Sequence, residues 1–198
     1  GSILSSLCTA AGDRLSLIEA DALESPIWEF GTAPRRIIAN LPYNIATTLL
    51  IRWLAHATAF ESMTLMFQRE VAERITARPG DPANSRLSVL TGYHADAEIL
   101  FDVPAEAFVP APKIMSSVVQ IVPLAPPRYD CSAQALELIT RTAFGQRRKM
   151  LRSSLKKING EQLLAAARID PEARPQQLDI ESFCKLARQF EATGITAP

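Results

Sequence analysis

The residues most suited to chemistry form one short block, Asn40-Leu41-Pro42-Tyr43, which follows the apolar run Ile37-Ile38-Ala39. The run reads as a buried parallel strand, and the periodic segment from Ile45 to His56 reads as the helix after it. The block is then a strand-to-helix loop, at the sheet edge where open α/β folds bind their ligands. An exocyclic amine on a nucleobase is a poor nucleophile because its lone pair is delocalised into the ring. An amide oxygen from Asn40 and the Leu41 carbonyl can accept its two N–H bonds and favour a pyramidal nitrogen. Pro42 keeps the turn rigid, and Tyr43 offers a flat face on which an extruded base can stack. Four residues alone are equally compatible with a strand that ends in a Pro-containing turn.

Asp21 and Phe108 are the other candidates. Leu15 to Ala20 alternates like a strand, and Asp21 stands at its end, placed to accept hydrogen bonds from an adenine or a ribose or to serve as a turn or cap. Phe108 lies in Phe108-Val-Pro-Ala-Pro-Lys113. Its prolines would hold the ring in a fixed pose, as core filling or as a second stacking face.

These residues need a scaffold, and the sequence supplies one. Residues 3–12 read as a helix closed by Gly12. His56 is expected to cap the helix from Ile45. Ser62 to Gln68 reads as a buried strand, and Arg69 to Ala77 as a charged helix with a Glu70–Arg74 pair. A loop follows at 78–84, then a helix from Ser85 to about Tyr93, with His94 structural beyond it. Glu98–Val103 and Ser116–Val122 read as an antiparallel hairpin at one edge of the sheet. Pro123, Pro126 and Pro127 mark a linker, and the remainder is helical by period: 132–144, 147–158, 161–168 and about 179–190, the last capped by Asp179. In the second of these, Arg148, Arg152 and Lys156 would share one face, with Met150, Leu151, Leu155 and Ile158 turned to the core.

The formal net charge is zero, yet it is unevenly distributed. Residues 1–128 carry ten Lys/Arg against thirteen Asp/Glu, and residues 129–198 carry eleven against eight. Arg141, Arg147, Arg148, Lys149, Arg152, Lys156 and Lys157 occur with no acidic residue between Thr140 and Gly160. A solvated helix normally mixes signs, so the run reads as a phosphate-binding surface. No apolar stretch approaches the ~20 residues of a membrane span. Gly1-Ser2 resembles a tag-cleavage scar and no secretory signal is visible. Cys8, Cys131 and Cys184 have no metal-ligand spacing and read as free thiols of a cytoplasmic protein. No metal is expected.

The chain resembles the ribosomal RNA adenine dimethyltransferases, in particular their bacterial small-subunit, kasugamycin-resistance branch. Asn40-Leu-Pro-Tyr-Asn-Ile-Ala46, Phe67-Gln-Arg-Glu-Val-Ala72, Arg86-Leu-Ser-Val89, Phe108 to Lys113 with Ser116-Ser117-Val118, and Phe144-Gly-Gln-Arg-Arg-Lys-Met-Leu151 are similar to that family's blocks in order and spacing. The resemblance implies an α/β, Rossmann-like class I methyltransferase sheet, seven-stranded in the family and here incomplete at its N-terminus, with the catalytic domain over 1–125 lacking the first strands and a small all-helical RNA-binding domain over 126–198. It implies S-adenosylmethionine as cofactor, held by Asp21, Ala22 and Asn40, and a target adenine between Tyr43 and Phe108. The implied substrate is a pair of adjacent adenosines in a hairpin near the 3′ end of small-subunit rRNA, each dimethylated at N6 by in-line displacement. Small-subunit rRNA, or the small ribosomal subunit, is the implied partner.

The chain departs from the family pattern in two places. Thr48 stands where a proline is common. No two glycines here make a Gly-x-Gly loop, although the family carries one after its first strand. The expectation is therefore an N-terminally truncated chain that keeps the target-base half of the site, binds cofactor weakly or not at all, and dimerises or exchanges strands through exposed sheet edge and apolar helix surface. A catalytically silent rRNA- or ribosome-binding role is the alternative.

Overall fold

The computed structural model describes residues 3–193, so Gly1-Ser2, read as a cleavage scar, lies outside the described residues. The elements in order are α1 (Ile3–Ala11), β1 (Arg36–Asn40), α2 (Ala46–Leu54), β2 (Ser62–Gln68), α3 (Arg69–Thr76), α4 (Arg86–His94), β3 (Ala95–Val103), β4 (Ser116–Pro123), α5 (Ala133–Phe144), α6 (Leu151–Ser154), α7 (Gly160–Ala167) and α8 (Ile180–Ala192). The sheet order is β1-β2-β4-β3. β1 pairs with β2 in parallel, and β4 runs antiparallel to both β2 and β3. Strands β1, β2 and β3 therefore share one direction, and the loops that follow all three emerge at the same end of the sheet.

Alternation decides which side of each strand is buried. Met63, Leu65 and Phe67 of β2, with Val119 and Ile121 of β4, lie in one core with Leu49, Leu50, Trp53 and Leu54 of α2. Fully burying each large side chain there contributes roughly 1.5–3 kcal/mol. A second core joins α5 to α8 with Val89, Leu90 and Tyr93 of α4, while Leu87 of the same helix belongs to the first. Helix α4 is thus the splint between sheet and C-terminal helices. Its start is fixed by Ser85, whose N–H donates to Ser88 Oγ at 2.9 Å.

Several sequence expectations hold in detail. The 62–68 strand, the antiparallel 116–123 pairing at the sheet edge, the Gly12 stop at φ +57 and the Asp179 cap, which accepts from Ser182 N at 2.8 Å, are all present.

Others are corrected. Residues 15–20 form no strand: Leu15, Leu17 and Ile18 are exposed, and β1 has no second neighbour among the described residues to supply a hydrogen-bond ladder. For the same reason β1 is parallel but not buried, with Ile38 84% exposed on an open edge. Four strands are present among the described residues, fewer than the seven of the family's sheet, as the expected incomplete sheet requires. His56 caps nothing. Its ring stacks on Trp28 at 3.7 Å, and Arg52 lies over the same indole, so the 23–28 segment is pinned to α2. The ion pair on α3 is Arg69–Glu73 at 3.0 Å, not Glu70–Arg74.

The expected 147–158 helix is broken. Only Leu151–Ser154 is α-helical, because the chain turns after Gly145 and the N–H groups of Leu151 and Arg152 donate to Ala173 O and Pro171 O instead. Arg148 therefore does not share a helix face with Arg152 and Lys156. Met150 is 37% exposed, whereas Leu151, Leu155 and Ile158 are buried as expected.

Candidate active site

At the end where the three strands point, Asn40, Leu41, Pro42 and Tyr43 line one open cleft of about 390 Å³ together with Phe108, Pro110 and Pro112. The loop turns tightly: Ile45 N donates to Pro42 O at 3.1 Å, and α2 starts at Ala46. Leu41 plugs the loop into the core at 7% exposure, which leaves Asn40 and Pro42 exposed and the Tyr43 ring half-buried. Among the described residues the Asn40 amide has no hydrogen-bond partner, so its oxygen is available to a ligand. A hydrophobic interior with no cavity beside Asn40 and Tyr43 would have removed the chemical reading of this block. The arrangement is the opposite one.

The Phe108 wall is carried by residues 104–115, which connect β3 to β4. Phe108 is half-buried, neither core filling nor free. The two ends of the connection are tied together. Asp102, near the end of β3, accepts from Ser117 Oγ at 2.6 Å and from Arg69 Nη1 at 2.7 Å, while Arg69 N donates to Met115 O at 3.0 Å. The Tyr43 and Ser116 hydroxyls share a hydrogen bond of 2.7 Å. Ser116 and Ser117 are both fully buried. In the sequence Ser116, Ser117 and Arg69 fall within family-like blocks, with no role assigned to any of them. An Asp in an apolar strand and a Ser pair opening the next were the signals available.

The remaining candidates are not in the cleft. Asp21 and Ala22 are exposed and do not line it. The Asp21 carboxylate accepts from Leu23 N at 2.8 Å, the turn role that the sequence left open. No Gly-x-Gly occurs in the chain. Among the described residues there is also no cluster of His, Cys, Asp or Glu that could hold a metal, and no helix is long and apolar enough to cross a membrane.

The basic residues are exposed but differ in their partners. Arg147 donates to Pro82 O, and Arg152 pairs with Glu172 at 3.4 Å. Arg152 and Lys156 rim a hollow of about 220 Å³ at the start of α7. Arg141 lines a different hollow, with Gln134, Glu137 and Phe190. Arg148, Lys149 and Lys157 are open to solvent.

Comparison with known proteins agrees with this geometry. Residues 3–192 match the family model described as ribosomal RNA adenine dimethylase. The chain is 49% identical over 193 residues to the ribosomal RNA small subunit methyltransferase A of Rhodospirillum rubrum, covering 97% of this chain and 67% of the relative. It is 56% identical to the protein of the same name from Bartonella tribocorum, covering 88% and 65% respectively. The chain thus spans about two thirds of the length of these relatives. A crystal structure of a dimethyladenosine transferase from Plasmodium falciparum superposes with a TM-score of 0.77 at 24% identity, covering 97% of this chain and 78% of that one. The 23S rRNA methyltransferase ErmE gives 0.64 at 22%, covering 94% and 77%. At such identities these two likenesses bear on the fold, a Rossmann-like methyltransferase sheet.

Proposed function

The chain belongs to the ribosomal RNA adenine dimethylase family, and from that premise we propose that its cleft receives an adenine extruded from small-subunit rRNA for dimethylation at N6. The observation that carries the reading is that Tyr43 and Phe108 line one cleft together with Asn40-Leu41-Pro42. Two aromatic side chains in one cleft suit a flat base, and stacking is worth ~1–3 kcal/mol per base. The Asn40 oxygen and the Leu41 carbonyl accept the two amino hydrogens, which frees the nitrogen lone pair for alkylation. Pro42 holds the two acceptors in register. Positioning and exclusion of water are then the chief tasks of these side chains.

S-adenosylmethionine is the methyl donor in this proposal, its sulfonium carbon being the electrophile when bound. Asp21, Ala22 and Asn40 would hold it; Asp21 accepts from Leu23 N with one carboxylate oxygen and is exposed, so its other oxygen is open to a ligand. In the same reading residues 1–125 form the catalytic part and residues 126–198 hold rRNA through Arg141, Arg147, Arg148, Lys149, Arg152, Lys156 and Lys157. The protein works in the cytoplasm on two adjacent adenosines of a hairpin near the 3′ end of the RNA. The lack of a Gly-x-Gly loop favours a second reading for the chain on its own, as an rRNA-binding piece without turnover.

Binding measured against three nucleic acids tests the proposal: the small-subunit rRNA hairpin, the same hairpin with its two adenosines changed to uridine, and duplex DNA. The adenosine hairpin should bind tightest; equal affinity for the uridine hairpin or for DNA would overturn the reading. Calorimetry with S-adenosylmethionine should give an affinity weaker than micromolar. A micromolar constant would overturn that expectation.

A further inference from the structure

We propose that Ser116 is a positioning residue, whose hydroxyl anchors the tip of the Tyr43 ring against which the base stacks; the inference rests on the adenine-binding reading of the cleft. Ser116 opens β4 and stands opposite Gln68, the last residue of β2, and Val103, the last of β3. It is held from both sides by the sheet and is fully buried. Tyr43, in contrast, rides on a loop whose neighbours Pro42 and Asn44 are exposed. The 2.7 Å bond between the two hydroxyls therefore ties a loop side chain to the most constrained backbone at this end of the molecule.

The pairing is specific. A buried hydroxyl requires a partner, and Tyr43 is the only side chain bonded to that of Ser116 among the described residues. The next residue cannot substitute for it. Successive strand side chains point to opposite faces, and Ser117 is committed to Asp102. One serine thus serves the Tyr43 wall and its neighbour serves the root of the Phe108 wall. A ring fixed before the base arrives loses less rotational freedom on stacking, so binding is tighter than to a free ring.

Fluorescence quenching of 2-aminopurine, placed at one target adenosine of the small-subunit rRNA hairpin, reads stacking directly. Ser116→Ala and Tyr43→Phe should each weaken binding about three- to tenfold, the usual range for removal of one hydrogen bond. The double variant should be no weaker than either single one, because both remove the same interaction. Ser116→Thr, which keeps a hydroxyl, should recover most of the affinity. Losses that multiply in the double variant would mean that Ser116 acts elsewhere and would overturn the proposal, as would wild-type affinity in Ser116→Ala. If Ser116→Ala does not fold, Tyr43→Phe alone decides: wild-type affinity in that variant refutes the lock.

Tyr43→Ala separates the two levels of the claim. Quenching that disappears in Tyr43→Ala but persists unchanged in Ser116→Ala leaves the adenine reading intact and removes only the proposal. Quenching that is absent from the wild-type chain, or indifferent to Tyr43→Ala, removes both.

Discussion

Replacing Asp102 by Ala should loosen the Phe108 wall while leaving the sheet in place. The carboxylate accepts from Ser117 Oγ at 2.6 Å and from Arg69 Nη1 at 2.7 Å. The two interactions differ in weight. Ser117 is fully buried, so deletion of Asp102 leaves its hydroxyl without an acceptor, and a hydrogen bond to a charged group is worth about 1.5–3 kcal/mol. The Arg69 pair is made between side chains 49% and 39% exposed, where solvent screening leaves little net gain. The effect should fall on residues 104–115, whose two ends the carboxylate joins. About 2 kcal/mol corresponds to a roughly 30-fold rise in the population of the locally opened state. Amide hydrogen exchange read by mass spectrometry measures this: peptides within 104–115 should exchange some 30-fold faster in Asp102→Ala, with β2 peptides changed far less. Asp102→Asn, which retains an acceptor for Ser117, should recover much of the protection. Unchanged exchange at 104–115, or equal acceleration in β2, would refute the assignment of Asp102 to the cleft wall.

Three further outcomes are expected. Changing Arg148 and Arg152 together to Ala should lower rRNA affinity and flatten its salt dependence by about one log–log unit for each phosphate no longer neutralised, measurable by titration at several ionic strengths; an unchanged slope would move the RNA surface elsewhere. His94 is half-buried, and burial lowers its pKa below the ordinary 6.5. The unfolded chain therefore takes up this proton first, so the associated stability is full above about pH 6.5 and is lost as pH falls toward the folded value. Urea denaturation from pH 7 to 5 should show a shallower decline in His94→Gln than in the wild type, and equal declines would exclude this origin. Light scattering should find concentration-dependent self-association through the open β1 edge, where Ile38 is 84% exposed. Ile38→Lys, a charge on that edge, should suppress it; a monomeric wild-type chain would contradict the expectation.

What the sequence made legible was local. Ser62–Gln68 alternates cleanly and folds as the strand its pattern demands, and Asn40 to Tyr43 forms the strand-to-helix loop that its Pro and preceding apolar run imply. That Phe108 and Tyr43 share one cleft could be anticipated only through family resemblance, because it depends on β3 and β1 pointing the same way across two intervening strands. Interactions set by tertiary packing were not legible at all. The Tyr43–Ser116 bond spans 73 residues, and nothing in either neighbourhood encodes it. The 147–158 stretch has a helical apolar period, yet backbone carbonyls at Pro171 and Ala173 take the N–H groups of Leu151 and Arg152, and the turn wins. Leu15 to Ala20 has strand alternation but, among the described residues, no neighbour with which to pair. Periodicity reports which side of an element is apolar, not whether a partner is there to receive it.

The central claim is that an rRNA adenine enters between Tyr43 and Phe108. Its most direct test is a photoactivatable adenine analogue at the target position of the small-subunit hairpin, irradiated with the chain and mapped by mass spectrometry. Adducts should fall on peptides containing residues 40–43 and 104–115. Labelling confined to residues 141–157, with both cleft segments unmodified, would contradict the account.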